Sequence, residues 1–206
     1  MRKLILVTLI STSVLISSCS DSENDEEVSV QEASLSQLEI DDLNFLREEE
    51  KLARDVYLYS FNLYSLQIFK NVSDSEQKHM DSVLELLNKY NLQDPASENM
   101  GEFNNSELQI LYNDLTQKSS ISVVEALEVG NIIEDLDIKD LAVNEERTTN
   151  IDLLDVYGSL KCGSRNHLRN YNAQLIFNGG LYIPTYISID EFEAIIATSN
   201  EQCNNN

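Results

Sequence analysis

Glu76 and His79 stand three residues apart in a segment whose apolar residues recur with the period of an α-helix. A Glu and a His at this spacing project from the same face of a helix, one turn apart. One carboxylate oxygen and one imidazole nitrogen can then reach a common metal ion. The spacing alone is a weak signal in a chain with 36 acidic residues, but the chain has only two histidines. This pair therefore favours a fold in which helices pack around a metal site.

An alternative role for Glu76 comes from Ser73, because Ser-x-x-Glu is the capping box of a helix N-terminus. In that alternative a helix begins at Ser73 and Glu76 only caps it. In the other, the helix is continuous from about Leu66 and Glu76 points inward. Capping leaves His79 unexplained on an apolar face, although a lone buried histidine is more often a core residue than a ligand. We favour the inward orientation because Glu50 offers a partner.

Helical periodicity extends over most of the chain. The two prolines and six glycines are few for 206 residues, and such a chain favours helices over strands. We predict an all-α protein with four long helices and additional short ones. The long helices are expected at about 41–65, 66–91, 122–141 and 151–176, and the short ones at about 108–115 and 188–197.

Three more candidate ligands lie on the apolar stripes of the first and third long helices. Glu50 shares a stripe with Leu46 and Tyr57, and Glu134 and Asp137 repeat the three-residue spacing. The alternative is that these acids are solvated: residues 48–50 as an acidic first turn, and residues 134–137 as a helix edge.

The last long helix carries His167, the second histidine, on its apolar side. The residue three positions before it is Ser164 and not a carboxylate. In the third helix, Gly130 costs about 1 kcal/mol relative to alanine in a helix interior. Its presence predicts a close approach of another helix.

Together these residues indicate a metal centre. Burying several acids in one core without compensation is very costly, so a converging set needs a cation to neutralise it. Carboxylate and imidazole ligands suit iron, manganese or zinc. The predicted ligands are Glu50, Glu76, His79, Glu134, Asp137 and His167.

The N-terminus predicts an exported lipoprotein. Residues 1–19 form a short basic region and an apolar run that ends in Ser-Ser-Cys19, which resembles a bacterial lipoprotein signal peptide. Cys19 would be the lipidated residue, and an ordinary signal peptide is the alternative. Residues 20–38 are expected to be an acidic flexible tether, 39–200 the helical domain, and 201–206 a polar tail. The acidic stretch resembles the surface-export signal of Bacteroidota lipoproteins, so the outer membrane, on its periplasmic or cell-surface side, is the expected location.

Charge and cysteine content bound the partners. The net charge of −22 disfavours binding to nucleic acid. With Cys19 lipidated, Cys162 and Cys203 remain as an even pair in an oxidising compartment, which predicts a disulfide, with two free thiols as the alternative. The expected partners are metal ions and, through the lipid, the membrane. The oligomeric state stays open, with a homodimer as one alternative.

Several stretches resemble ferritin-like proteins. The run from Glu50 through Ala53 to Tyr57 resembles the first ferritin helix, and Glu76-x-x-His79 matches the ligand pair of the second. From about 43 to 195 the chain is similar to an uncharacterised bacterial and archaeal ferritin-like family, a domain of unknown function. The motifs that carry this similarity are residues 47–57, 75–81, 133–138 and 163–168.

The resemblance implies a ferritin-like four-helix bundle with a di-metal centre, iron foremost, and manganese or zinc as alternatives. Oxygen or peroxide redox chemistry is compatible with such a centre. Ser164 departs from the pattern, because rubrerythrins have a Glu there. Asp137 compensates, or one metal position is weak, or a single metal is bound. The alternative functions are a non-catalytic metal-binding or sequestering lipoprotein and a structural surface lipoprotein.

Overall fold

The computed structural model of the protein describes residues 34–203. Within that range the secondary structure consists of α-helices, six in number, with no β-strand. The prediction of an all-α protein is therefore confirmed. The helices are α1 Gln37–Tyr64, α2 Gln67–Lys89, α3 Ser106–Ser119, α4 Val123–Arg147, α5 Ile151–Phe177 and α6 Ile189–Ile196.

The N-terminus of α1 lies four residues before the predicted start. Ser36 and Glu39 form a capping box in which the Ser36 backbone N–H donates to Glu39 Oε2 at 2.7 Å. The first turn of the helix is therefore at Gln37, inside the segment predicted to be a tether. Glu50 consequently lies in the middle of the helix. The signal peptide, Cys19 and the tether as far as residue 33 lie outside the described residues.

Helix α2 is continuous through Ser73. The Ser73 hydroxyl donates to the carbonyl oxygen of Lys70 one turn earlier, at 2.8 Å, and so does not cap a new helix. Glu76 is fully buried in the helix interior. Of the two alternatives for Glu76, the inward orientation is the one that the structure adopts.

Helix α4 is longer than predicted, and α5 is continuous from Ile151 to Phe177. Helix α4 runs six residues past the expected end at Leu141, since residues 142–147 contain no Gly or Pro, and Arg147 in its last turn pairs with Asp42 of α1 at 2.9 Å. Gly163 does not interrupt α5. The close approach predicted at Gly130 is confirmed, because a Cβ there would lie 2.4 Å from Tyr171 Cδ1.

The four long helices pack with α1 against α2 and α4, and α5 against α4 and α2. Their buried apolar side chains form two clusters. The larger includes Val56, Phe69 and Leu168, and the smaller includes Leu46 and Val83. On each long helix the candidate ligands lie between residues of the two clusters. A polar layer therefore crosses the middle of an apolar core.

The C-terminal segment is attached to α4 and α5. Asp135 is fully buried and accepts hydrogen bonds from the backbone N–H groups of residues 185–187 and from the Tyr182 hydroxyl at 2.6 Å. A disulfide joins Cys162 of α5 to Cys203, and Arg165 pairs with Glu201. None of the helices in residues 34–203 is long and apolar enough to cross a membrane.

Candidate metal centre

Four helices contribute side chains to the polar layer. Glu50 comes from α1, Glu76 and His79 from α2, Glu134 from α4, and His167 from α5. All three carboxylates are at most 1% exposed, and both imidazoles are largely buried. The structure thus brings five of the six predicted ligands together from opposite ends of the sequence.

Glu76 occupies the middle of this group. Its Oε2 lies 2.7 Å from Nδ1 of His79, and its Oε1 lies 2.8 Å from Nδ1 of His167. The two imidazole rings are stacked, with centroids 5.6 Å apart. One carboxylate therefore spans the two histidines, one oxygen to each.

Each imidazole also faces a second carboxylate through the same nitrogen. His79 Nδ1 lies 3.2 Å from Glu50 Oε2, and His167 Nδ1 lies 3.4 Å from Glu134 Oε2. Two groups of possible ligand atoms result, Glu50 with Glu76 and His79, and Glu76 with Glu134 and His167. Within each group the ligand atoms lie within 4.8 Å of one another. Glu76 belongs to both groups, as a bridging carboxylate would.

The electrostatics of the layer favour positive charge beside Glu76. Burial alone would raise the pKa of Glu76, but His167 and His79 outweigh it and hold that pKa well below its usual range. Burial would lower the pKa of His167, yet Glu76 and Glu134 raise it to about 10. The pKa of His79 is likewise raised, against burial, by Glu76 and Glu50. Two protonated imidazoles thus supply the positive charge that metal cations would supply beside Glu76.

Glu50 and Glu134, the carboxylates on either side of Glu76, hold their protons more tightly than usual. Burial raises the pKa of Glu50 to about 7, with His79 opposing the rise. Burial also raises the pKa of Glu134, opposed by His167. At neutral pH the layer therefore balances its carboxylates with protons, which a divalent metal ion can replace.

The buried carboxylate oxygens of the layer are better arranged to bind a metal ion than to accept hydrogen bonds from the side chains around them. One oxygen of Glu50 is buried without a hydrogen-bond partner among the residues described, and one oxygen of Glu134 and both of Glu76 face imidazole nitrogens without the geometry of a hydrogen bond. Nearly all buried polar atoms in folded proteins find a partner, so such a concentration in one layer requires an explanation. Coordination to cations supplies one.

Comparison with known proteins identifies the chain's relatives. Residues 39–199 match the family model described as an uncharacterized protein domain, DUF2202. The chain belongs to the DUF2202 family. It is 48% identical to the uncharacterized protein MJ0754 of Methanocaldococcus jannaschii over 169 residues, which cover 82% of this chain and 91% of that protein.

A solved relative supports the fold of this DUF2202 domain. The structure is similar to the crystal structure of the hypothetical protein MJ0754 from Methanococcus jannaschii, with a TM-score of 0.81 and 48% sequence identity. The match covers 84% of this chain and 99% of the crystallised chain. The helical fold is thus shared with that relative.

Asp137 lies in the same buried layer of the DUF2202 domain but outside both groups of ligand atoms. Both of its oxygens are buried with no hydrogen-bond partner in residues 34–203. Burial raises its pKa well above the usual range, and Glu49 is the first of several carboxylates that raise it further. Its position is beside the paired groups and not between the histidines.

The sequence analysis missed Glu49, and its alternative for residues 48–50 as a solvated turn is wrong. Glu49 is 2% exposed, and neither of its oxygens has a hydrogen-bond partner in the part of the chain that the structure describes. Glu48 is also buried, because it accepts the backbone N–H groups of Asn104 and Asn105 at 2.6 and 3.0 Å. The alternative of a solvated edge at residues 134–137 is wrong for the same reason, since Glu134, Asp135 and Asp137 are buried.

Two further residues orient the candidate ligands. Tyr57 donates its hydroxyl hydrogen to Glu134 Oε1 at 2.5 Å, and His167 Nε2 lies 3.0 Å from the Ser75 hydroxyl. Partners of this kind fix the rotamer of a ligand carboxylate or imidazole. In the sequence Tyr57 only shares the apolar stripe of Glu50, which favours a packing role, and its hydrogen bond to Glu134 is a contact between different helices. Ser75 gave no signal in the sequence.

Ser164 does not replace a ligand. It is buried and donates to the carbonyl oxygen of Leu160, one turn back in α5 at 3.2 Å. Its neighbour Gly163 has a different role, because a Cβ there would lie 2.6 Å from His79 Nε2. The absence of a side chain at Gly163 leaves room for the imidazole.

A surface pocket of about 550 Å³ reaches His79 between α2 and α5. The side chain of His79 is 12% exposed there, whereas the carboxylates of both groups are almost wholly buried. Basic, acidic and apolar side chains line this pocket, among them Lys78, Glu85 and Leu160. Small molecules in solvent can therefore approach the layer on the His79 side.

Proposed function

We propose that this DUF2202 domain is a ferritin-like four-helix bundle that binds two metal ions in its core. Glu50, Glu76 and His79 would hold one ion, and Glu76, Glu134 and His167 the other. The observation that carries the proposal is the position of Glu76, whose two oxygens lie 2.7 and 2.8 Å from Nδ1 of the two histidines. Bundles of this class place ligand carboxylates and Glu-x-x-His pairs on facing helices.

The donor set favours iron, with manganese or zinc as the alternatives. Carboxylate oxygens with one imidazole nitrogen for each ion suit these metals, and no sulfur atom belongs to either group of ligand atoms. When bound, an iron or manganese pair supplies redox chemistry with oxygen or peroxide. The protein's part is to fix the ligands: Tyr57 holds Glu134, Ser75 holds His167, and the two apolar clusters exclude bulk water from the layer.

Asp137 would act on the centre from outside the two groups. Burial and the neighbouring carboxylates raise the pKa of Asp137, so it would hold a proton in the metal-free layer and become an anionic neighbour of the ligands when cations bind. This assignment changes its role from the direct ligand that the sequence suggested to a neighbour of the ligands.

The test is reconstitution with Fe²⁺ under anaerobic conditions, followed by thermal melting with and without a chelator. We expect metal to raise the melting temperature of the wild type, to raise it less in His79→Ala, which keeps the ion beside His167, and not to raise it in Glu76→Ala. The matched control is Asp155→Asn, which removes one exposed acid from the pocket near His79. An unchanged melting temperature in the wild type after loading would contradict the proposal.

A second candidate is a metal-binding protein without turnover. Ser164 favours it. A carboxylate at that position of α5 would be a fourth one and would complete a symmetric pair of metal positions, but Ser164 bonds to its own helix and leaves α5 with one ligand. Peroxide added to the iron-loaded protein separates the two: repeated consumption of peroxide supports redox chemistry, and a single stoichiometric absorbance change supports storage.

We further propose that the domain is exported and anchored by lipid at Cys19, on the periplasmic or cell-surface side of the outer membrane. The support is the basic and apolar leader that ends at this cysteine, together with an even pair of cysteines in the domain. Labelling cells with a radioactive fatty acid tests it. Wild type should carry the label and Cys19→Ala should not.

A further inference from the structure

Three segments that contain no acidic residue come together at one end of the helical bundle. They are residues 59–73, 115–124 and 170–189. Lys70 and Lys118 are their only charged residues, and residues 170–189 contain none. The rest of the chain differs sharply from them, because its 36 acidic residues all lie outside these segments and give a net charge of −22.

Contacts between the segments place them side by side. The hydroxyl of Tyr64, the last residue of α1, donates to the carbonyl oxygen of Ser119 at 2.8 Å. A Cβ at Gly180, in the loop after α5, would lie 3.0 Å from Cγ1 of Val124 in the first turn of α4. The end of α1, the turn between α3 and α4, and the loop after α5 thus form one surface, which we call the apolar end.

Large apolar side chains are exposed on the apolar end. Phe177, the last residue of α5, is 85% exposed, and Leu181 in the following loop is 76% exposed. Further exposed apolar residues come from all three segments and include Leu63, Ile121, Ile176 and Ile183. Single exposed apolar residues are normal on a protein surface, whereas a group of them marks a site of interaction.

The charges around the apolar end indicate what kind of partner fits it. Lys118 is paired with Glu125 at 2.5 Å and with Glu128 at 3.2 Å, and Lys70 is paired with Asp74. Both lysines of the three segments are thus neutralised, so this surface has little attraction for an anionic membrane or a nucleic acid. A basic partner would be drawn to the acidic faces of the protein instead.

We propose that the apolar end is a contact surface between two copies of this chain. Two strongly acidic chains repel each other, and a contact through the three acid-free segments brings no carboxylate of those segments against its counterpart. In a two-fold symmetric dimer the same patch lies on both sides of the contact, so Phe177 and Leu181 of each copy would be removed from water together. None of the candidate metal ligands belongs to this surface, so the contact is independent of metal binding.

Sedimentation velocity over a range of protein concentrations tests the proposal. The sample is the chain without residues 1–19, because the apolar run in that segment would itself cause association. The domain that remains corresponds to nearly all of the crystallised relative, 99% of which the match covers. We expect a monomer–dimer equilibrium in the wild type. Added salt should strengthen the dimer, since it screens the repulsion between the acidic chains.

The variants Phe177→Asp and Leu181→Asp should each weaken the dimer by at least about 30-fold, as expected for residues at the centre of an interface. Ile151→Asp is the matched control, because Ile151 is 67% exposed at the opposite end of α5. It should dimerise like the wild type. Melting curves of all three variants should show that the fold is retained, since each side chain is exposed.

A wild type that stays monomeric at every concentration would overturn the proposal. A dimer that persists unchanged in both Phe177→Asp and Leu181→Asp would also overturn it, because the contact would then lie elsewhere. Flotation with vesicles of phosphatidylcholine and phosphatidylglycerol provides the remaining arm. A monomeric wild type that binds the vesicles, with binding lost in Phe177→Asp, would assign the apolar end to a lipid surface and not to a second copy.

Discussion

The imidazole rings of His79 and His167 are stacked 5.6 Å apart, and the two oxygens of Glu76 reach one Nδ1 atom each. Glu50 and Glu134 complete the arrangement on either side, one for each histidine. The polar layer therefore has an approximate symmetry around Glu76, built from the consecutive helices α1 and α2 and the later pair α4 and α5.

Single substitutions should separate the two metal positions. We expect Glu50→Gln to lose the ion beside His79, and Glu134→Gln the ion beside His167, because each carboxylate belongs to one group only. Glu76→Gln should lose both. Inductively coupled plasma mass spectrometry on reconstituted protein measures the stoichiometry. A loss of both ions in Glu50→Gln would show that the positions are not independent.

The pH dependence of stability should change sign when metal binds. In the metal-free domain the pKa of Glu50 rises from its ordinary value of 4.5 to about 7, and that of His167 from 6.5 to about 10. Groups with raised pKa values stabilise the folded state below their unfolded pKa and lose that contribution as the pH rises through the folded value. The metal-free melting temperature should therefore fall between pH 5 and pH 9.

The metal-loaded domain should behave in the opposite way over this range. Each ion displaces the proton on one imidazole, so affinity should rise by about tenfold per pH unit for each ion. Melting curves recorded with chelator and with excess Mn²⁺ measure both trends. Parallel trends in the two samples would show that protons and metal do not compete for the same atoms.

Gly163→Ala should weaken the metal position at His79. The added Cβ would lie 2.6 Å from His79 Nε2, so the imidazole has to move. Gly158→Ala, in the same helix, is the matched control, because its Cβ would meet nothing closer than 3.8 Å. Alanine normally stabilises a helix interior by about 1 kcal/mol relative to glycine. We expect Gly158→Ala to raise the free energy of unfolding by that amount. Gly163→Ala should lack this gain and should bind Mn²⁺ less tightly.

Reduction of the Cys162–Cys203 disulfide should lower stability without emptying the metal centre. The bond closes a loop with a sequence separation of 41 residues, for which chain entropy predicts about 4 kcal/mol. Urea unfolding of the double variant Cys162→Ala/Cys203→Ala measures the cost. Arg165 and Arg169 still hold Glu201 in that variant, so metal stoichiometry should equal that of the wild type. A loss of bound metal in the double variant would tie the disulfide to the centre.

Local spacing predicted the helices and most of the side chains that meet in the polar layer. The pair Glu76 and His79 follows from a three-residue interval, and Glu50 from its place on an apolar stripe. Both signals are properties of a single helix, which is why sequence reasoning reached them. The inward orientation of Glu76 needed the structure, because Ser73 offered a capping role that the pattern could not exclude.

The burial of the charged residues 47–51 could not be predicted, because it depends on contacts between distant segments. The run from Arg47 to Lys51 has five charged residues in succession, which alone suggests a solvated surface. In the structure the loop between α2 and α3 covers it: Arg47 binds Asp94 at 2.8 Å, and Lys51 donates to the carbonyl oxygens of Asn99 and Glu102. Such partners lie nearly 50 positions away, and no periodicity encodes them.

Metal analysis of the freshly purified domain, prepared without chelator, tests the central claim most directly. Inductively coupled plasma mass spectrometry should find close to two equivalents of iron, manganese or zinc per chain in the wild type, matching the two groups of ligand atoms. Glu76→Gln, purified in parallel, should contain almost none. A wild type without these metals, or an equal content in Glu76→Gln, would contradict a metal pair bridged by Glu76.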